Sequence, residues 1–137
     1  MGLVILSDTD HEFLDSFEKV LQNEPEMEIA RIEGPSSAAD AALEQDAFVV
    51  VYGPSAGQDA SFAAAERVAA TVGQNTANLL ISRTVDTALL RAAMRSGFHD
   101  AVAIEGAKYG DLATVVKEAY EVVASSRTAL GATPETK

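Results

Sequence analysis

The residues best suited to chemistry stand in three short stretches. Ser7, Asp8, Thr9 and Asp10 follow the apolar run Leu3–Leu6. Ser82 with Arg83, and Ile104 with Glu105, close two more apolar runs. Carboxylates grouped this way could hold a hard divalent cation through oxygen, and a nearby hydroxyl could donate to a phosphoryl group. Val51, Tyr52 and Gly53 close the most apolar run of all and contain no acid. Phosphoryl transfer to aspartate needs a carboxylate nucleophile, a cation held by acids, and donors for the developing charge. Val50, just before Val51 and Tyr52, is apolar too, so this run ends without a carboxylate. Other chemistries have less to work with. His11 and His99 are the two histidines, and neither has a recognisable Ser or Asp triad partner. No Gly-rich phosphate cradle occurs, and the loop after the first run is acidic and lacks glycine. The expectation is a chain that is not an enzyme and holds no cofactor and no metal. Asp8 and Asp10 are then helix caps at the positive end of the following helix.

These residues need elements to position them. The apolar pattern alternates between short continuous runs and helical spacing. Leu3–Leu6 reads as a buried strand. Phe13, Phe17, Val20 and Leu21 share a helical face, with Thr9 and Glu12 fitting a capping box and Glu24-Pro25 a stop. Met27–Glu33 is a charged strand suited to a sheet edge. Ser36-Ser37 caps an alanine-rich helix that ends near Gln45. Phe48–Tyr52 has no polar face and should lie centrally, covered on both sides. Phe62, Ala65, Val68, Ala69 and Val72 mark a third helix stopped by Gly73. Leu79–Ile81 and Ala101–Ile104 are further strands. Between them lies a helix with Leu90, Ala93 and Met94 inward and Gly97 just past its end, near His99. Asp111 caps a last helix, with Leu112, Val115, Val116, Ala119, Val122 and Val123 inward.

Strand and helix thus alternate five times. That pattern predicts an α/β three-layer sandwich of flavodoxin-like type, with a five-stranded parallel sheet in the order 2-1-3-4-5. In such a sheet the three stretches above meet beyond the carboxyl ends of the strands. The body is expected over residues 1–126. Residues 127–137 lose the apolar period and read as a flexible tail or linker.

The chain has 137 residues, enough for one domain. It has no cysteine, which removes disulfides and thiolate metal sites and suits a cytoplasmic setting. Its 21 acids against 10 bases give a net charge of −11, which disfavours contact with nucleic acid and with anionic lipid. No run approaches the roughly 18 apolar residues of a membrane span, so direct membrane insertion is not expected.

At "VILSDTDHEF" and "LLISRTVDTALLRAAMRSGFHDAV" the chain resembles the receiver domain of two-component response regulators, the CheY-like fold, in element order over about residues 3–124. Carried over by position, Asp8 matches the first acid of the phosphorylation pocket, while Thr9 replaces the second. Val51 stands at the phosphoacceptor position. Ser82 matches the hydroxyl, Ala101 replaces the switch aromatic, and Ile104-Glu105 replaces Lys-Pro. The resemblance therefore implies a degenerate acidic pocket of Asp8, Asp10, Ser82 and Glu105, without phosphoacceptor, in a pseudo-receiver.

"TALLRAAMRSGFHDAV" also resembles the N-terminal atypical receiver of the TadZ/CpaE family. Those are MinD/ParA-like proteins of Flp (Tad) pilus assembly, some labelled septum-site-determining. That likeness implies an interaction and localisation module, with an ATPase domain C-terminal to it in the full-length chain. The alternatives are a stand-alone atypical response regulator and a flavodoxin-like enzyme or small-ligand binder. A protein partner, with a second copy of the chain as one candidate, is expected on the fourth helix, fifth strand and fifth helix. Receivers commonly signal through that face. Leu89 and Ala92 are expected to form an outward apolar stripe there, flanked by Arg91 and Arg95.

Overall fold

The computed structural model describes residues 2–135, with side chains through Thr128. Five strands, β1 (Gly2–Ser7), β2 (Met27–Arg31), β3 (Val49–Tyr52), β4 (Ala77–Ser82) and β5 (Phe98–Ala103), alternate with five α-helices. The helices are α1 (His11–Leu21), α2 (Pro35–Gln45), α3 (Gln58–Val72), α4 (Thr87–Arg95) and α5 (Tyr109–Glu135), and a 3₁₀ turn, Gly73–Asn75, follows α3. All strand pairs are parallel and the order is β2-β1-β3-β4-β5, as the alternation predicts.

Two apolar layers hold the sheet. On one side, Val4, Leu6, Val49, Val51, Leu79 and Ile81 pack with α1 and α5. On the other, Ile5, Val50, Tyr52 and Leu80 pack with α2, α3 and Ala93 of α4. Every residue of β3 is buried, because it is central and covered on both faces. β2 pairs only with β1, and its Arg31 reaches Asp15 and Glu18 on α1. Glu28 and Arg31, two of the charges that marked it as an edge in the sequence, are exposed.

Several local expectations need correction. Asp10 alone caps α1, accepting the Glu12 and Phe13 amides at 3.0 and 3.2 Å, and Thr9 is turned elsewhere. α2 starts at Pro35 after Gly34, ahead of the expected serines. Proline's fixed φ and missing N–H suit the first helical position. α5 starts at Tyr109, and Asp111 reaches back to the Lys108 amide at 3.2 Å from within the first turn. β5 begins three residues earlier than expected, at Phe98, and a register shift at Asn78/Leu79 lets His99 bulge outward within the strand. Gly97, at φ 94°, ends α4 as expected, and a Cβ there would stand 2.6 Å from that of Ala69.

The phase of α4 differs from the expected one. Leu89 packs into the core beside Val85, whereas Leu90 and Met94 are 36% and 53% exposed. Apolar residues fill positions 88–90 and 92–94, so two neighbouring stripes satisfy helical spacing equally, and only packing selects one. Val122, expected inward on α5, is 55% exposed. The expected tail also changes character. α5 continues as helix to Glu135, and Arg127 packs against the body; residues 136–137 lie outside the described residues.

Candidate functional site

The carboxyl ends of β1 and β3 lie side by side, with Ser7 opposite Tyr52 and the Gly53 amide donating to the Ser7 carbonyl at 2.8 Å. This places Asp8 directly over Gly53. Asp8 is 1% exposed, and neither of its carboxylate oxygens has a hydrogen-bond partner of good geometry. Burial pushes its pKa above the usual carboxylate value; the nearby Thr9 and Ser55 amides offset part of the rise, and the charge of Asp10 adds to it. The Thr9 hydroxyl donates to the Ser55 carbonyl at 3.1 Å and ties the two loops together above the acid.

A Cβ at position 53 would lie 2.6 Å from the Asp8 Cγ and Oδ2. The side-chain direction that faces Asp8 is therefore that of residue 53. Val51 is buried in the core opposite Leu6. Tyr52 points to the other face, edge-on to Phe98 at 5.7 Å, with its hydroxyl unpartnered and its pKa raised by burial. No acid occupies any of these positions, and the missing side chain of Gly53 is the space into which Asp8 fits.

The other members of the expected acidic pocket are less buried than Asp8. Asp10 is exposed and engaged at the N-terminus of α1. Ser82 is half-buried at the end of β4, and Glu105 is exposed, its amide bonded to the Arg83 carbonyl. A hard divalent cation needs several converging oxygens. Among the described residues no three His, Cys, Asp or Glu side chains are grouped to supply them. The donor set therefore does not fit the cation that phosphoryl transfer on this fold would require.

The candidate contact face is better formed at the amino ends of β4 and β5. A groove of about 470 Å³ runs there, lined by Gly73, Ala77, Phe98 and His99, with Met94 of α4 and Val122 of α5 among its walls. Leu90 lies one turn from Met94 on α4. Arg91 and Arg95 are exposed, as expected, and form no salt bridge among the described residues. Glu118 and Glu121 are exposed on α5 beside Val122. Of the expected stripe, Ala92 is half-buried and Leu89 belongs to the core, so Leu90, Met94 and Val122 take its place.

Sequence reasoning missed the role of Gly53, although a glycine directly after a buried strand was a signal of close approach. It also missed Leu90 and Met94 as surface residues, for which the sequence held no signal that separated the two stripes.

No protein-family model matches the chain, and no curated protein matches it. Solved structures do. The signal receiver domain of a Luxo repressor protein from Vibrio parahaemolyticus superposes with TM-score 0.81 at 11% identity, over 93% of this chain and 96% of that one. The fold is that of a response-regulator receiver domain. A receiver domain of an HD domain-containing protein from Pseudomonas fluorescens Pf-5 gives 0.77 at 16% identity, over 92% and 91% of the two chains. A pilus assembly-related protein from Burkholderia pseudomallei K96243 gives 0.72 at 19% identity, over 89% and 91%. Set on the receiver fold, Asp8 and Gly53 lie at the sheet end where open α/β folds place their ligands. Among the described residues no helix is long and apolar enough to cross a membrane.

Proposed function

We propose that this chain is a receiver-like protein-interaction and localisation module that is not phosphorylated and is not an enzyme. The observation that carries this reading is the contact between Asp8 and Gly53: no carboxylate faces Asp8, and no side chain could enter there without displacing it. The missing Lys after β5, where Ile104 stands, and the engagement of Asp10 as a cap support it. The partner is a protein, which meets the face built from α4, β5 and α5 through Leu90, Met94 and Val122; a second copy of the chain is one candidate.

The module's setting is the cytoplasm, and its host a pilus-assembly or septum-site-determining ATPase whose ATPase domain follows in the full-length chain. Two observations support this. One is the likeness of "TALLRAAMRSGFHDAV" to the TadZ/CpaE receiver. The other is the structural likeness to a protein described as pilus assembly-related. Incubation with acetyl phosphate and Mg²⁺, followed by intact-mass measurement, tests the central claim. The expected result is no gain. A stable adduct of about 80 Da, the mass of a phosphoryl group, on any residue from 51 to 53 or on Asp8 would overturn it.

A further inference from the structure

α5 makes its most extensive polar contacts at the amino ends of the strands. Tyr120 and Arg127 are seven residues apart, two helical turns, and so share one face of the helix. The Tyr120 hydroxyl donates to the Glu26 carbonyl at 2.7 Å, in the turn that enters β2, and its ring stacks on Phe48 at 4.9 Å. The Arg127 guanidinium lies over the same Phe48 ring, 4.0 Å from its centre. It donates to the Asn75 carbonyl at 2.6 and 3.1 Å, in the turn that enters β4. It also donates to the Ala47 and Asp46 carbonyls at 2.9 and 3.3 Å and to the Asp46 carboxylate at 2.9 Å, in the turn that enters β3. Asp46 holds φ at 58°, the one positive φ outside glycine among the described residues. The turns into β2, β3 and β4 are thus all bonded to one helix through two side chains.

The length of that helix gives the arrangement its meaning. Twenty-seven residues extend about 40 Å at the α-helical rise. A six-residue strand such as β4 extends only about 20 Å. α5 therefore runs past the sheet. Val123 is its last buried apolar residue among those described, and Arg127 follows one turn later. A planar, multiply bonded guanidinium stacked on a ring fixes direction better than a sliding apolar contact would.

We propose that Tyr120 and Arg127 form a two-point mount that fixes the direction in which α5 leaves the body, making the helix a stiff output lever. Any displacement of the α2–β3 or α3–β4 turn is then carried into the tilt of the helix. This goes beyond the interaction role above and does not depend on the state of Asp8.

The cysteine-free sequence makes the test direct. Nitroxides are placed at Ser37→Cys on α2 and Thr128→Cys on α5, and their distance distribution is measured by pulsed electron spin resonance. The expected result is one narrow distribution. Arg127→Ala should broaden it, and Arg127→Lys should broaden it too, because Lys keeps the charge but not the fork or the stacking. Lys117→Ala removes only the ion pair with Glu24 and should leave it narrow. Amide exchange provides the second measurement. Arg127→Ala should speed exchange over residues 124–128 on the order of tenfold, as expected for losing a charge-assisted hydrogen bond, with β3 and β4 unchanged. A broad distribution in the parent, an unchanged one in Arg127→Ala, or exchange that rises equally throughout the body would overturn the proposal.

Discussion

The two ends of the sheet treat an ionisable side chain in opposite ways. At the carboxyl ends, Asp8 is enclosed with no well-formed hydrogen bond, in a space that exists because residue 53 is glycine. At the amino ends, Arg127 is answered by three backbone carbonyls, a carboxylate and an aromatic face. A buried, unpartnered carboxyl is destabilising, whereas a multiply bonded guanidinium orders the groups it bonds. Stability alone would favour an apolar residue at position 8. The carboxyl end thus keeps the outline of an acidic site without the groups that would use it, and the amino end carries the organised polar contacts. The apolar groove beside Met94 and Val122 lies at that same organised end.

The contrast is sharpest at Gly53, where the largest change in stability is expected. Gly53→Ala should cost about 1–3 kcal/mol by overpacking against Asp8. Combined with Asp8→Ala it should cost less, because that change removes the Cγ and Oδ2 atoms at 2.6 Å and leaves only the Cβ at 2.9 Å, and urea unfolding of the four proteins measures the coupling. Equal losses with and without Asp8 would mean that the two residues do not compete for one space, and the carboxyl end would have to be redrawn.

A smaller, pH-dependent effect is expected from Asp8→Asn. The folded pKa of Asp8 is raised above its unfolded value by burial. Below the ordinary carboxylate range both states hold the proton and the group makes no difference. As pH rises from there to the raised value, the unfolded chain releases its proton first, so stability falls and then stays lower. Asp8→Asn should therefore melt higher than the parent at neutral pH, by less than the Gly53→Ala loss. The gap should close as the pH is lowered toward 4. A gap that widens on acidification would show Asp8 to be stabilised as an anion, which would reverse the contrast between the ends.

Much of this architecture was legible in the sequence, and what was not has a common cause. The strand order followed from five alternations and from two compositions, the uniformly apolar β3 and the charged β2. The lack of an acid at 51 and 52 was equally plain. That Asp10 and not Asp8 caps α1 was not, because either residue could do so and only the turn geometry chooses. The phase of α4 was ambiguous because its apolar stripes overlap at Ala93. The course of α5 beyond Ser125 was hidden because apolar periodicity signals burial, and Arg127 is fixed by polar contacts from turns distant in sequence. Periodicity reads the apolar layers well and is silent on ties between a side chain and a distant carbonyl.

If the amino end also carries the partner contact, surface changes there should alter association while leaving stability nearly unchanged. Leu90→Glu combined with Met94→Glu alters side chains that are 36% and 53% exposed, so the melting curve should stay close to that of the parent. Self-association in sedimentation, or partner capture, whichever the parent shows, should be lost. Leu89→Glu should instead lower the melting temperature, because Leu89 packs into the core. Association that survives the double change would move the contact to another surface, the exposed edge of β2 being the next candidate.

The smallest effect is expected from Mg²⁺, and it is the one most able to undo the comparison. Stabilisation by a ligand that binds only the folded chain grows as RT ln(1 + [L]/Kd), so a cation bound weakly or not at all leaves the melting temperature where it was. Among the described residues no three carboxylate or imidazole side chains converge at the carboxyl end, and Asp10 already accepts two amides of α1. Drawing a cation onto Asp8 would also require ionising a buried acid and opening the Thr9–Ser55 bond above it. Millimolar Mg²⁺ should therefore shift the melting temperature by no more than an equal ionic strength of NaCl does. A rise of several degrees that NaCl fails to reproduce and Asp8→Ala abolishes would show a working cation site. In that case the unpartnered carboxyl would be a ligand awaiting its metal, and the two ends of the sheet would differ in occupancy and not in design.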